Sequence, residues 1–232
     1  MSFNDEIKEE LVKKEWKKDE LLPLLCGFVC QTKPNKKNLV LKSQKESIMR
    51  LISNCFKKLY KKDYEVLGTT HNRFTKETTY TITIPLNEYQ STIQKKLHHL
   101  NQFMEPEKFR IFLSGIFLSS GYISDPETQQ YSLYIKFNDD NLPSMIMDTF
   151  SSYEDERKIV FRMVNSNNSY KLYIKKGEHI ANFIAFINAP VSMLNFENIR
   201  IIKDFYNNTN RMAICDSVNY NKSLATGQKN LK

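Results

Sequence analysis

The sequence predicts an α+β fold built from two tandem repeats of the order αββαββα. The repeats pack around a central pair of glycine-containing helices, and C-terminal helices follow. Three observations predict it. An apolar, glycine-bearing helical stretch occurs twice, at residues 24–34 (LLCGFVCQTKP) and 112–126 (FLSGIFLSSGYISDP). Leu25 and Leu113, like Gly27 and Gly115, stand 88 residues apart. After each stretch, segments of period two and period 3.6 follow in the same order, matching elements being offset by about 88 to 95 residues. That is an internal duplication at the level of pattern. It divides the chain into an N-terminal helix (1–18), a first repeat (19–103), a second repeat (104–189) and a C-terminal segment (190–232).

Each element has its own warrant. Residues 2–16 read as an amphipathic helix that Ser2 or Asn4 can cap, with Asp5 and Glu6 in the first turn and Ile7, Leu11 and Val12 as an apolar stripe. Residues 20–31 form the first glycine-centred helix, with Pro23 near its first turn, where a missing N–H matters least. A turn at 33–37 leads to a strand at 38–42 and a helix at 44–60, whose Ile48, Leu51, Ile52, Cys55, Phe56 and Leu59 share a face. Strands at 64–70 and 78–84 flank a polar loop at 71–77, and a helix covers 87–100.

The second repeat runs as a helix at 109–119, a hairpin of 122–124 with 131–137, and a helix at 143–153. A hairpin of 158–164 with 169–175 follows, turning at 165–168, and a helix at 178–187 closes the repeat. Beyond Ala189-Pro190, residues 191–206 read as a helix and the Asn-rich 207–210 as a break. Residues 211–224 read as a further helix, and 225–232 as a frayed polar end.

The chain has 232 residues and a formal net charge of +8, with 15 Phe and 12 Tyr to fill a core. A basic balance favours an anionic partner such as nucleic acid. The charge is concentrated: residues 33–62 carry ten basic residues against Glu46 alone. Cys26, Cys30, Cys55 and Cys215 lack metal-site spacing. Cys26 and Cys30 read as core thiols, and His71, His98, His99 and His179 as surface residues without a nucleophile partner. No apolar run approaches the length of a membrane span and no signal peptide opens the chain. A cytoplasmic protein without cofactor, metal, membrane contact or small-molecule substrate is expected.

Strand alternation defines candidate binding residues. Tyr131, Leu133, Ile135 and Phe137 face inward, as do Ile159, Phe161 and Met163, and Tyr170, Leu172 and Ile174. The opposite face then mixes Tyr134, Lys136, Arg162, Lys171, Tyr173 and Lys175, a surface suited to phosphates, sugars and stacking. The first repeat offers Thr79, Thr81 and Thr83 with Lys42 nearby, and Lys33, Lys36 and Lys37 at one end. Arg211 and Lys222 in the tail are further candidates. Double-stranded DNA is the expected partner, with other regulatory proteins admitted beside it. An ordinary solvated sheet face, a protein-interaction scaffold and an RNA-binding protein are alternatives left open.

The stretch 113–121, Leu-Ser-Gly-Ile-Phe-Leu-Ser-Ser-Gly, resembles the LAGLIDADG motif of homing endonucleases. In that family the glycine-centred helices of two repeats pack together, and each ends in an acidic residue that holds the metal ions of DNA cleavage. Laid on this chain, the acidic positions fall on Ser120 and, in the copy at 25–33, on Thr32. Both carboxylates are lost, so the resemblance implies the scaffold without the two-metal chemistry.

Further matches are the opening MSFNDEIKEEL, residues 178–187 (EHIANFIAFI), 195–203 (NFENIRIIK) and 210–222 (NRMAICDSVNYNK). With residues 112–126 they make the chain similar to the WhiA family of bacterial regulators, which carry a degenerate LAGLIDADG-like region. The resemblance implies a non-catalytic, nucleoid-associated DNA-binding protein acting in transcription regulation, cell division and chromosome segregation, and in sporulation in some lineages. Members usually continue into a helix-turn-helix domain. This chain ends soon after Lys222, where the linker to such a domain is expected to begin.

Overall fold

The computed structural model describes residues 2–71, 77–128, 130–153, 158–166 and 169–230. The contacts divide the chain into two units, Met1–Met193 and Leu194–Lys232.

The first unit begins with α1 (Phe3–Lys13), capped by Ser2, whose Oγ accepts from Asp5 N at 3.3 Å. Phe3, Ile7 and Leu11 bury one face. The indole of Trp16 donates to Leu11 O at 3.0 Å, so the chain folds back on the helix it has left. The next helix, α2 (Leu21–Val29), is apolar all round and buried along its length. Such a helix must lie inside the molecule.

Its partner is α6 (Pro106–Ser120), with eight buried residues in a row from Ile111 to Leu118 and a ninth at Phe109. The crossing is close and reciprocal. A Cβ on Gly27 would stand 2.0 Å from Phe112 O, and one on Gly115 would stand 2.1 Å from Leu24 O. Phe112 and Leu24 are each three residues before the opposing glycine. The contact therefore obeys the same 88-residue offset as the motif. Glycine in a helix interior costs about 1 kcal/mol against alanine, and here the backbone-to-backbone packing requires it.

Each repeat adds an antiparallel sheet. In the first, β1 (Asn38–Ser43), β2 (Leu67–His71) and β3 (Glu77–Pro85) lie in the order β1-β3-β2. In the second, β4 (Gly121–Ile123), β5 (Leu133–Phe137), β6 (Arg162–Ser166) and β7 (Ser169–Ile174) lie in the order β4-β5-β7-β6. Superposing the orders equates β1 with β5, β2 with β6 and β3 with β7. No strand forms at the position of β4 in the first repeat, where residues 30–37 make turns. The sequence is opaque at the same place.

Helices α3 (Glu46–Tyr60), α7 (Asn141–Ser152) and α8 (Gly177–Phe186) complete the unit. The C-terminus of α8 is fastened by α6: Arg110 Nε donates to Phe186 O at 3.1 Å and Ser114 Oγ to Ile187 O at 2.7 Å.

Four expectations need correction. The helix expected at 87–100 is irregular: α4 (Leu86–Tyr89) passes through a π-helical stretch, Gln90–Gln94, into the short α5 (Lys95–Leu97). The hydroxyls of Ser91 and Thr92 bond to Glu88 O at 3.1 and 2.6 Å, competing with the helix ladder for that carbonyl. The last strand pair starts later than expected, at Arg162, and Met163 stays 40% exposed although it stands opposite buried Leu172. It sits on an edge strand, where little covers it. No break occurs at 207–210: α9 (Pro190–Asn230) is continuous, and so is the end expected to fray from 225 to Asn230. Asparagine is only a weak helix former, within about 0.7 kcal/mol of alanine, and three of them around Thr209 do not outweigh two helical flanks. The expected turns at 71–77 and 165–168 lie partly outside the described residues.

Candidate nucleic-acid interface

Pleating sends the side chains of the second sheet to two faces. Leu133, Ile135, Phe137, Leu172 and Ile174 are buried on the inner one. On the outer face a row crosses all four strands. Tyr122 stands opposite Tyr134, Tyr134 opposite Tyr173, and Tyr173 opposite Arg162. The rings of Tyr122 and Tyr134 stack with centroids 5.0 Å apart and planes at 29°.

The neighbouring row places Lys136 directly opposite Lys171. Like charges in this position repel. Both ammonium groups lean toward the ring of Tyr134, at 5.9 and 5.3 Å from its centre. A cation–π contact returns only about 0.5–1 kcal/mol at an exposed site. Lys175, one residue past β7, continues the alternation of Lys171 and Tyr173 and is exposed.

The first sheet is different on its outer face. Lys42 stands opposite Thr81 and Val40 opposite Thr83, while Thr79 faces Thr69 across to β2. It carries hydroxyls and one cation where the second sheet carries aromatics and four. Lys33, Lys36 and Lys37 are exposed on the turn before β1. That turn is ordered by Asn35, whose Oδ1 accepts from Lys37 N at 2.9 Å and Asn38 N at 2.7 Å. Arg211 and Lys222 stand exposed on α9, in the second unit, and belong to neither sheet. The sheet residues are thus grouped by strand pairing.

The ends of α2 and α6 meet side by side. Gln31 Nε2 donates to Ser120 Oγ at 2.7 Å, and Ser120 Oγ is within 3.3 Å of Ile116 O. Asn138 Nδ2 donates to Gln31 O at 2.8 Å. This is a neutral amide–hydroxyl bridge between Ser120 and the residue just before Thr32. Thr32 and Ser120 supply no anionic oxygen, so the residues present do not fit a divalent metal ion. No three His, Cys, Asp or Glu side chains converge on a metal site among the described residues. Burial pushes the Cys26 thiol up to about 12, and the Cys30 thiol donates to Gly27 O at 3.2 Å, so neither offers a thiolate.

Two participants went unmarked in the sequence. Tyr122 lies on a three-residue strand too short for alternation to show, and Gln31 stands one residue before the position the motif marks.

Comparisons with known proteins identify the family and the fold. A family model for the WhiA LAGLIDADG-like domain matches residues 109–206. The "Probable cell division protein WhiA" of Ruminiclostridium cellulolyticum is 30% identical over 244 residues, covering 97% of this chain and 75% of that protein. The chain belongs to the WhiA family. The WhiA protein of Lachnoclostridium phytofermentans is 28% identical over all of this chain and 79% of its own length.

Among solved structures, full-length WhiA from Thermatoga maritima has a TM-score of 0.68 at 21% identity, covering 92% of this chain and 75% of that one. The N-terminal LAGLIDADG domain of WhiA gives 0.66 at 23% identity, covering 81% and 90%. The homing endonuclease I-DmoI, solved in complex with DNA and Mn, gives 0.54 at 12% identity, covering 74% and 98%. These likenesses establish the WhiA LAGLIDADG fold. No helix of the described residues is long and apolar enough to cross a membrane.

Proposed function

We propose that this chain is a non-catalytic DNA-binding protein, acting as a transcription regulator in cell division and chromosome segregation. In this reading the outer faces of the two sheets lie against duplex DNA. The observation that carries it is the outer face of the second sheet, where Lys136 and Lys171 are held opposite each other beside the row of Tyr122, Tyr134, Tyr173 and Arg162. A fold left to itself avoids paired like charges, and a phosphate backbone relieves them. The relatives' name supports the cell-division role, and I-DmoI, of like fold, was solved with DNA. Ser120 and Thr32 support the non-catalytic part, because two-metal cleavage needs carboxylates where they stand.

The test is a salt series of duplex binding by fluorescence anisotropy. Each phosphate neutralised contributes about −0.9 to the slope of log K against log salt. Lys42, Lys136, Arg162, Lys171 and Lys175 together give an expected slope of about −4 to −5. Absence of duplex binding at low salt overturns the reading, and Mg-dependent nicking of plasmid DNA overturns its non-catalytic half. Tyr134→Ala is expected to weaken binding. A partner protein lost on Tyr134→Ala with duplex affinity unchanged would point to the scaffold instead.

A further inference from the structure

The repeat relation puts a cleft beside the C-terminal end of each central helix. One, of about 380 Å³, is lined by Cys30 and Gln31 together with Phe137, Asn138 and Asp139 at the end of β5. Its counterpart, of about 330 Å³, is lined by Leu118 and Ser119, which stand 88 residues beyond Cys30 and Gln31, and by Lys42, Ser43 and Gln44 at the end of β1.

The two clefts differ in charge. Asp139, His98, His99 and Lys33 give the first a mixed lining. The second has Lys8, Lys42 and Lys45 against Asp5 alone. Lys45 is already engaged, its Nζ 3.1 Å from Asp5 and 3.8 Å from Glu9. Lys8 and Lys42 make no ion pair among the described residues. Lys8 is half-buried, with Nζ 5.7 Å from the centre of the Phe117 ring. The carbonyl end of α6 contributes only about half a negative charge, less than two ammonium groups carry. Ser43 Oγ accepts from Lys45 N at 3.1 Å, which leaves its own proton available to a ligand.

We infer that this cleft is a phosphate-binding site in which Lys8 and Lys42 supply the charge and Ser43 and Ser119 the neutral donors. Its source in the proposed function is a backbone phosphate of DNA, because Lys42 and Thr79, which line it, belong to the outer face of the first sheet. On that point the inference rests on the DNA reading. A free phosphate carries the same chemistry.

Burial pushes the Lys8 ammonium down to about 8, with Asp5 opposing the shift and Lys45 adding to it. Lys42 is the other charge facing the cleft, and α6 and β3 bring none. A bound anion favours the charged form of Lys8. Binding therefore weakens as Lys8 loses its proton above about pH 8.

The experiment compares the whole chain with Lys8→Met and Lys8→Arg. Duplex anisotropy is measured from about pH 7 to about pH 9.5, across the Lys8 titration. The lysine ε resonances are followed by NMR with inorganic phosphate and, separately, with duplex. Lys8→Met is expected to bind duplex about tenfold more weakly at neutral pH, with a salt slope smaller by about 1. Lys8→Arg is expected to keep the affinity and lose the fall above pH 8. A Lys8 resonance that moves with duplex alone identifies the backbone as the source, and one that also moves with inorganic phosphate identifies a free-phosphate site. Duplex binding by a folded Lys8→Met protein with unchanged affinity and pH profile overturns the site and leaves the DNA reading standing. Phosphate binding at Lys8 without duplex binding by any of the three overturns the DNA reading and keeps the site. A resonance that moves with neither ligand overturns the site.

Discussion

At the residue scale, two glycines and one lysine carry the sharpest consequences. Gly27 and Gly115 each face a carbonyl of the opposing helix, with room for a hydrogen and none for a methyl group. Gly115→Ala forces the helices apart, because the obstacle is Leu24 O, a backbone atom that cannot rotate away. Overpacking of this kind costs about 1–3 kcal/mol or more, which outweighs the gain of about 1 kcal/mol in helix propensity. A urea midpoint unchanged by Gly115→Ala would contradict the crossing.

Lys8 gives a second residue-scale prediction. Its folded value of about 8 lies below the ordinary 10.5, so the folded protein releases this proton before the unfolded chain does. Stability from this group therefore rises with pH between about 8 and 10.5, and at neutral pH the buried charge is a cost. Lys8→Met is expected to raise the melting temperature at neutral pH, with the gain shrinking as pH climbs above about 8. A gain of constant size across that window would place its cause in packing.

At the element scale, α9 and the π-helical stretch mark where local propensity and the observed element part. The Asn-rich 207–210 segment reads as a break because asparagine favours turns, yet the helix runs through it. Thr209 Oγ1 bonds back to Phe205 O at 3.0 Å inside the continuous ladder. Asn208→Pro removes a ladder bond of this helix and costs about 3 kcal/mol of helix stability. Far-UV circular dichroism is expected to lose helical signal. An unaltered spectrum would mean that the segment is already open. Strands were the easier elements, because period-two alternation is strong in β5 and β7. At β6 and β4 it fails, since one is an exposed edge and the other has three residues.

At the scale of the whole first unit, the duplication is structural and the surface is not duplicated with it. The sheets share one strand order, but the outer face of the second concentrates tyrosines and cations while the first presents threonines. The expected contributions to DNA binding are accordingly unequal. Neutralising Lys136 and Lys171 together is expected to reduce the salt slope by about 2, and Lys42→Met by about 1. Anisotropy titrations at several salt concentrations separate them, and equal losses would refute the asymmetry. Removing Lys136 also relieves its repulsion with Lys171, so the fold is expected to gain up to about 1 kcal/mol as binding falls.

By itself the sequence determined the repeat, the α+β class, the central glycine helices and the identity of the outer-face side chains on β5 and β7. Each is written in a local period or in a fixed 88-residue offset. The resemblance to the endonuclease motif carries the expectation that Ser120 and Thr32 stand at its acidic positions. Tertiary structure alone decided the pairings between distant strands and elements. Strand register set Lys136 against Lys171 and drew Tyr122 into the aromatic row. Helix crossing joined Gln31 to Ser120 across 89 residues of chain. Packing of α1 beside the end of α6 brought Lys8 to Lys42, a pair that no sequence period connects. The reason is physical: periodicity fixes which way a side chain points along its own element, whereas its neighbours on other elements are fixed only when the core closes.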